Sequence, residues 1–314
     1  MSRFIHLIFL FLTYSDGGKS MHQVSTQALK PMVFTVNFPQ DGGKWTDIIV
    51  SSFKDNLFDA RRDVQFVDFS WSGESSTEDL LKNISTMNPS IIFLPDDYLY
   101  SMLASKISSI SSAKVVFVTF YTNSDELNKA NNEAGVVCNA PIEAMVRQAR
   151  KMVEIRSVGV VGGPFANKIS NMILSKLPAD VVSEYKTTSS WDEYRKYVQE
   201  FSKKYDAVWP LAPFGVTNCD GGKVNSDQLN IVIEEISKIT LGYGRISEFK
   251  RAIDMEIDPA ILGSNAAALA YDHLIGKPTV SMDFVSYGLR VNASLINGLG
   301  ASIPEDLQGF VSRR

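Results

Sequence analysis

Histidine and cysteine are scarce in this chain, which limits the chemistry that it can perform. The 314 residues include three histidines, His6, His22 and His273, and two cysteines, Cys138 and Cys219. No histidine stands at a zinc-ligand spacing from a cysteine, so we predict no metal site. In an exported protein the two cysteines can form one disulfide, or they can remain two separate, partly buried thiols. The sequence leaves both alternatives open.

The chain also lacks the residue patterns of an enzyme active site. It has no Gly-x-Ser-x-Gly nucleophile elbow and no cluster of metal ligands. Asp96 and Asp97 are adjacent, so they cannot both face one substrate bond from a helix. The pairs Gly42-Gly43 and Gly162-Gly163 fit neither a dinucleotide loop nor a nucleoside-triphosphate loop. We therefore predict that the protein is not an enzyme and binds no cofactor.

Basic residues are not in excess either. Lys and Arg number 31 against 35 Asp and Glu, which gives a formal net charge of −4 at pH 7. A protein that binds nucleic acid needs a basic surface to neutralise the phosphates. The sequence has no Arg-rich stripe and no long run of one charge. We predict no nucleic-acid partner.

Apolar runs are short throughout the chain. The run at residues 4–14 has 11 residues, whereas a helix that spans a bilayer needs roughly 20. Ser2-Arg3 gives this run a positive start and polar residues follow it, which is the pattern of a secretory signal peptide. We predict that residues 1–28 are a signal peptide or leader and that the mature protein is soluble and exported to the periplasm. The alternatives are an uncleaved anchor or a misassigned start.

What the chain does contain is one pattern that occurs twice. An apolar strand at 32–36 enters a polar, Gly-rich turn and then an amphipathic segment that begins at Trp45. A second apolar strand at 157–161 enters Gly162-Gly163-Pro164 and then a helical stretch at 167–177. The repeat at about one domain length predicts two α/β lobes. Clefts between domains are common binding places for small molecules.

Strands and helices alternate between and after these two starts. Period-two alternation and short apolar runs predict the strands, and apolar residues at helical spacing predict the helices. Right-handed crossovers between parallel strands then give a doubly wound sheet in each lobe. The predicted strands are 64–69, 91–94, 114–120, 158–161, 181–185, 207–211 and 239–241, and the predicted later helices are 167–177, 191–203 and 228–238.

Several helix ends are marked by capping residues. Residues 75–78, Ser-Ser-Thr-Glu, predict a capping box, and Asn139 predicts the N-cap of the first helix in the second lobe. Asp258-Pro259 predicts a helix start, with aspartate as the cap and proline at the first helical position. This last helix should end at Gly276, with Pro278 beyond it.

In this order the segments resemble the type I periplasmic solute-binding proteins. More narrowly, they resemble the ABC-transporter substrate-binding family that includes tryptophan-type binding proteins. The resemblance covers about residues 31–300 and rests on four segments, at 34–39, 88–93, 157–167 and 257–278. It is fairly specific to the fold and less specific to the ligand.

The resemblance implies a fold of two doubly wound parallel-sheet α/β lobes, joined by a hinge that the chain crosses three times. The first lobe would be residues 31–138 plus 256–282, and the second lobe 139–255 plus 283–300. A hinge of several crossings lets the lobes close on a ligand without unfolding.

Ligands of open parallel sheets meet the loops at the carboxyl ends of the strands. Some side chains in these loops have a structural alternative: Asp96 and Asp258 as helix N-caps, and Trp45 and Phe165 as core residues. Trp209 lies within a strand, and we assign it to the core. The side chains that we expect to contact the ligand are Trp45, Asp96, Asp97, Tyr121, Asn123, Phe165, Asn167, Phe214, Tyr243 and Asp258.

The loop after Leu94 separates this chain from the proteins that it resembles. That family usually places small residues there, whose hydroxyl and backbone N–H groups receive a carboxylate, whereas this chain has Pro95-Asp96-Asp97. Two acids at a helix N-terminus suit the helix dipole but repel an incoming anion. Beside aromatic residues they favour a cationic, aromatic or hydroxylated ligand. The alternative is that Asp97 faces water and a single cap serves the helix.

The sequence thus predicts an exported, monomeric solute-binding protein. It would capture a small organic ligand between its lobes and deliver it to the membrane permease of an ABC importer. The alternative is a receptor that presents its bound state to a membrane sensor kinase or chemoreceptor. Docking surfaces leave no sequence motif, so the sequence does not separate these two partners.

Overall fold

A computed structural model describes residues 30–37, 43–120, 132–213, 215–244, 250–284 and 287–312. Within these ranges only the backbone is described at residues 43, 44, 74, 165, 226, 244 and 312. The predicted signal peptide at 1–28 lies outside the described residues. In the part of the chain that is described, no helix is both long enough and apolar enough to cross a membrane.

The first of two sheets contains six strands, and every pairing in it is parallel. Its central strands are apolar and buried on both faces, as expected for a parallel sheet covered by helices. The spatial order is β11-β5-β4-β3-β1-β2. The strands are β1 Met32–Asn37, β2 Gln65–Ser70, β3 Ile91–Leu94, β4 Lys114–Thr119, β5 Glu133–Cys138 and β11 Met282–Phe284.

Four helices cover the two faces of this sheet, and we call this sheet with its helices the first lobe. The helices α1 Gly43–Ala60 and α8 Pro259–Leu274 pack on one face, while α2 Thr77–Met87 and α3 Asp97–Ile110 pack on the other. The contact between α1 and α8 is close because Gly263 lies against the backbone of α1. A Cβ atom at Gly263 would stand 2.2 Å from the carbonyl oxygen of Ile49.

The second sheet contains seven strands in the order β13-β12-β10-β9-β8-β6-β7. Its pairings are parallel except that of β10 with β12, which is antiparallel. The sequence patterns did not predict β5 or any of the strands from β10 onward. The strands are β6 Ser157–Gly162, β7 Val182–Thr187, β8 Ala207–Pro210, β9 Ile239–Gly244, β10 Ile253–Glu256, β12 Gly288–Asn292 and β13 Val311–Ser312.

Helices also cover both faces of the second sheet, and together they form the second lobe. The helices α4 Ile142–Ala149 and α5 Asn167–Ser175 pack on one face, and α6 Trp191–Lys204 and α7 Ser226–Glu234 pack on the other. The short helix α9 Ala293–Gly298 follows β12 directly. Trp209 in β8 is fully buried, which confirms its assignment to the core.

The chain passes between the two sheets three times. It runs from β5 to α4, from β10 to α8 and from β11 to β12. Three passages between two doubly wound sheets confirm the predicted fold class. The buried side chains of Cys138, Ile257 and Phe284 at these passages belong to one apolar cluster that extends into both lobes. The lobe boundaries at 138 and 256 stay a prediction, and β11 continues two residues past the expected boundary at 282.

Two of the predicted helix starts are wrong. The expected capping box at 75–78 is absent, because residues 74–76 form a 3-10 turn and Ser76 Oγ donates to the carbonyl of Gly73 at 2.9 Å. Asn139 does not cap α4, which begins at Ile142 with Pro141 in the cap position. The side-chain oxygen of Asn139 instead accepts a hydrogen bond from Lys176.

Helix α7 also differs from its prediction, since it ends at Glu234 rather than at 238. A capping box does form at its start, where the Asn225 side chain accepts from the N–H of Gln228 and the Gln228 side chain accepts from the N–H of Asn225. The start and end of α8 are confirmed. Asp258 caps it, and Gly276 adopts a φ of +76°, the left-handed conformation that commonly ends a helix.

Candidate functional site

The carboxyl ends of β1, β3, β4 and β5 lie together at one edge of the first sheet, because these strands are parallel. Asp96 follows β3 and caps α3, since its Oδ1 accepts from the N–H of Leu99 at 2.7 Å. Asp97 is half-buried. Its Oδ2 accepts from the N–H of Phe120, just beyond β4, at 2.7 Å. The two adjacent carboxylates therefore have different partners, one within the helix and one on the neighbouring strand end.

Aromatic rings surround this edge of the first sheet. Trp45, in the first turn of α1, is buried, and its ring centroid lies 5.5 Å from that of Phe120. Tyr98, in the first turn of α3, is 47% exposed, and its ring lies 5.7 Å from the buried ring of Trp71. Trp45 and Asp97 thus both contact Phe120, and Asp96 adjoins Asp97 at the start of α3. Their contact with a ligand stays a prediction.

Two polar atoms at the same edge are buried without a partner. Asn37 Oδ1, at the end of β1, and Thr119 Oγ1, at the end of β4, make no hydrogen bond to any residue that the structure describes. A buried polar atom in this state costs about 1–3 kcal/mol, so each such atom calls for an explanation. Neither residue was selected from the sequence, because Asn37 was assigned to the polar turn after the first strand and Thr119 to the interior of the predicted buried strand 114–120.

Cys138 ends β5 at this edge, and it is a buried thiol. Burial raises its pKa well above the ordinary value, and the negative charge of Asp97 raises it further. Cys219 is exposed in the second lobe, and both cysteines are free. Of the two alternatives that the sequence left open, the structure has two separate thiols.

The edge of the second sheet is less completely described. Asn167 begins α5 and is exposed, and its Oδ1 accepts from the hydroxyl of Tyr185 at 3.2 Å. Phe165 lies in the 3-10 turn before α5, where only the backbone is described. Three further residues that we selected, Tyr121, Asn123 and Phe214, lie outside the described residues.

Of the other two selected residues, Asp258 lies at the second passage between the lobes and Tyr243 lies near the end of β9. Asp258 is exposed and accepts from the N–H of Ala260 at 2.8 Å, so it acts as the N-cap of α8. Tyr243 is the last residue of β9 whose side chain is described, and it is buried. Its ring centroid lies 6.0 Å from that of Tyr287. Tyr243 thus lies near the carboxyl end of β9 and packs against Tyr287 on the third passage between the lobes.

The second lobe contains a buried ionic network that was not predicted from the sequence. Asp254 is 1% exposed, and its Oδ2 lies 3.4 Å from Arg251 Nη1 and 3.2 Å from Arg290 Nη2. Arg290 also pairs with Glu256, at 2.7 Å between Nε and Oε1. Arg251 crosses over Gly242, where a Cβ would stand 2.1 Å from its Cδ, and donates to the carbonyl of Pro210 at 3.1 Å. The alternation of acids and apolar residues in β10 was the available signal.

Other candidate sites lie away from the strand ends or are not formed. Among the described residues, no group of three or more His, Cys, Asp or Glu side chains is arranged to hold a metal ion. A surface groove of about 620 Å³ runs beside α1, outside the strand ends of the first lobe. Its lining residues are Asp47, Ile48, Ser51, Ser52, Asp55, Asn56 and Ala260.

Comparison with known proteins identifies the fold. No protein-family model matches the sequence, and no curated protein matches it. The chain is similar to the solved structure of an ABC domain in complex with L-Trp from Streptococcus pneumonia. The TM-score is 0.69 at 16% identity, over 90% of this chain and 100% of that chain.

Two further similar structures have different functions. One is the ligand-free, open structure of a substrate binding protein with adhesive properties from Clostridium difficile. Its TM-score is 0.67 at 12% identity, over 90% of this chain and 98% of that chain. The other is a LacI transcriptional regulator from Lactobacillus brevis, with a TM-score of 0.56 at 15% identity, over 83% of this chain and 99% of that chain. At these identities the comparisons establish a shared fold, that of the type I periplasmic binding proteins.

Proposed function

We propose that this protein is an exported solute-binding protein that captures a small organic ligand in the cleft between its two lobes. The observation that carries the proposal is the threefold passage of the chain between two parallel sheets. Such a connection lets two lobes move as units about a hinge, and binding energy then favours the closed form. A binding protein needs no catalytic group.

The strand ends of the first lobe support a binding role for that edge. Thr119 Oγ1 and Asn37 Oδ1 are buried there and unbonded among the described residues, and a polar ligand atom would satisfy either one. Asp96 and Asp97 place negative charge beside the aromatic rings of Trp45 and Tyr98. An ammonium or a hydroxyl group attached to an aromatic body would suit such a surface.

The similar structure with bound L-Trp supports the same size class of ligand. A free amino acid carries an ammonium group, which Asp97 would attract, and a carboxylate, which it would repel. We therefore place any ligand ammonium on the first lobe and any ligand carboxylate away from it. Asn167, at the exposed N-terminus of α5, is the expected partner on the second lobe.

We further propose that the bound form is recognised by the membrane permease of an ABC importer. The alternative partner is a membrane sensor kinase or chemoreceptor, which would read the same closed form. Proteoliposomes that contain the permease distinguish the two: loaded binding protein should stimulate ATP hydrolysis and ligand uptake. If it binds ligand but stimulates neither, the receptor alternative is favoured.

Thermal melting against a library of amino acids, amines, sugars and nucleosides tests the binding role. A ligand at 100 times its dissociation constant stabilises the native state by about 2.7 kcal/mol, which raises the melting temperature by roughly 5 °C for a protein of this size. A shift with one chemical class supports the proposal, and a library in which nothing shifts the melt contradicts capture of a free solute.

A matched pair of variants then tests the site. Thr119→Val replaces the hydroxyl by a methyl group of the same shape, so the unliganded protein should melt at the wild-type temperature or higher. The ligand-induced shift should fall. Thr86→Val on the exposed face of α2, where the hydroxyl donates to the carbonyl of Lys82 at 2.8 Å, should leave the ligand-induced shift unchanged.

A further inference from the structure

A group of side chains where the chain passes between the lobes has no part in the proposed ligand site. It comprises Asn139 after β5, Phe284 at the end of β11, Tyr287 before β12, and Lys176 at the end of α5. We call these four residues the hinge group. Asn139, Lys176 and Tyr287 are half-buried, and Phe284 is buried.

Asn139 is bonded at three of its polar atoms, each time to a different member of the hinge group. Its backbone N–H donates to the carbonyl of Phe284 at 3.3 Å. Its own carbonyl accepts from the hydroxyl of Tyr287. Its side-chain Oδ1 accepts from Lys176 Nζ at 2.8 Å. The first passage is therefore tied both to the third passage and to a helix of the second lobe.

Lys176 differs from the other two partners because it follows a helix of the second lobe, whereas Phe284 and Tyr287 lie on the third passage. Asn139 extends from a strand of the first lobe, and β11, which pairs with that strand, carries Asp283. The charge of Asp283 acts on Lys176 and partly offsets the lowering of its pKa by burial. Lys176 is thus a cation at the end of a second-lobe helix that donates to the amide oxygen of Asn139, directly after a strand of the first lobe.

Helix α5 gives this contact a connection to the ligand site. It begins at Asn167, which we expect to contact ligand, and ends at Ser175, immediately before Lys176. A helix of 9 residues is a short, stiff element. If a ligand displaces the N-terminus of α5, the C-terminus of the helix moves with it, and there Lys176 donates a hydrogen bond to Asn139.

We propose that the hydrogen bond from Lys176 to Asn139 is a latch across the hinge that sets how readily the two lobes change their separation. Lys176 is in this sense a positioning residue, because it acts on ligand binding through Asn139 and not by touching the ligand. The latch deepens the proposed binding function and rests on it. Loss of a hydrogen bond to a charged group should change the equilibrium between lobe arrangements about tenfold.

Distances between spin labels measure this equilibrium without any ligand. Labels on Ser85→Cys in α2 and Gln199→Cys in α6 report on the two lobes, and both positions are exposed. The exposed thiol is first removed by Cys219→Ser, and the buried Cys138 stays unlabelled. In Lys176→Met, which keeps the aliphatic stem, we expect a second distance component or a clearly broadened distribution.

A control and an opposite variant make the test decisive. Lys204→Met removes an exposed lysine of the second lobe that pairs with Glu184, and it should leave the distances as in the wild type. Asn139→Asp turns the latch into an ion pair and should narrow the distribution. The proposal is contradicted if Lys176→Met and Lys204→Met both give the wild-type distance distribution. It is also contradicted if Asn139→Asp broadens that distribution. This outcome is independent of whether a solute is found, because no ligand is present.

Discussion

Asp97 accepts a hydrogen bond from the backbone N–H of Phe120 at 2.7 Å, and it thereby joins the first turn of α3 to the end of β4. The two residues are 23 positions apart in the chain. The contact holds a carboxylate at the strand ends of the first lobe, where Trp45 packs on the ring of Phe120. The same carboxylate is both a structural acceptor and the charge that we expect a ligand to meet.

Substitutions of Asp97 should separate these two roles. Asp97→Asn keeps an acceptor oxygen and removes the charge, so we expect stability within about 1 kcal/mol of the wild type and weaker binding of cationic ligands. Asp97→Ala leaves the N–H of Phe120 without its partner, so the free energy of unfolding should fall by about 1–3 kcal/mol. Urea denaturation measures the free energy of unfolding of both variants. Ligand-induced melting shifts measure how well each variant binds a cationic ligand. Equal binding of a cationic ligand by wild type and Asp97→Asn would contradict the charge role.

Gly263 should tolerate no side chain, because its Cβ would stand 2.2 Å from the carbonyl oxygen of Ile49 in α1. Gly263→Ala has to push the two helices apart, and overpacking of this kind typically costs about 1–3 kcal/mol. Gly298→Ala is the matched control, because nothing lies within 4 Å of a Cβ at that position. Urea denaturation of both variants should show a loss for Gly263→Ala only; equal midpoints would mean that α1 and α8 separate at little cost.

The elements that the sequence predicted are those set by local patterns. The strand at Ile91–Leu94 and the helix that begins after Asp258 depend on short apolar runs and on capping residues within a few positions. Strand β10 was missed because its alternate residues are Asp254 and Glu256. Acids in a strand usually indicate a solvated face. Here Asp254 is buried and Glu256 is half-buried, and both pair with Arg290 of β12, which is more than 30 positions away in the sequence.

The same limit applies to the candidate site. Asp96 as a helix cap follows from its position before an apolar helix, and the structure confirms it. Two hydrogen bonds could not be predicted in this way, from the N–H of Phe120 to Asp97 and from Lys176 to Asn139. They connect residues 23 and 37 positions apart, respectively. Asn139 was assigned to the nearest helix because capping is a local rule, and a distant lysine holds its side chain instead.

The ionic network around Asp254 should be sensitive to the loss of its central acid. Asp254→Ala removes the carboxylate that pairs with Arg251. Arg251 is 4% exposed, so its positive charge would stay buried without that acid. Removal of one partner from a buried pair typically costs about 3–5 kcal/mol. The control is Asp306→Ala, which removes an exposed partner of Lys151 and should cost at most about 1 kcal/mol. Urea denaturation compares the two, and a similarly small loss at both sites would show that Arg251 is not held by Asp254.

His273 should make the protein less stable in mild acid. Burial lowers its pKa from the ordinary value of 6.5, and the charge of Lys114 lowers it further. Between the lowered pKa and 6.5 the unfolded chain binds a proton that the folded protein does not, so stability falls as the pH falls through this window. Above pH 6.5 the histidine is neutral in both states and contributes no pH dependence.

His273→Gln removes this contribution, and the difference between the two proteins isolates it from other titrating groups. Urea denaturation from pH 8 to pH 5 should give parallel stabilities above about pH 6.5. Below that pH the wild type should lose more free energy of unfolding than the variant. The loss arises because half-buried His273 has to charge close to Lys114, a cation that is itself buried at the start of β4. If the wild type were instead the more stable protein in acid relative to the variant, His273 would be gaining a partner on protonation and its pKa would be raised.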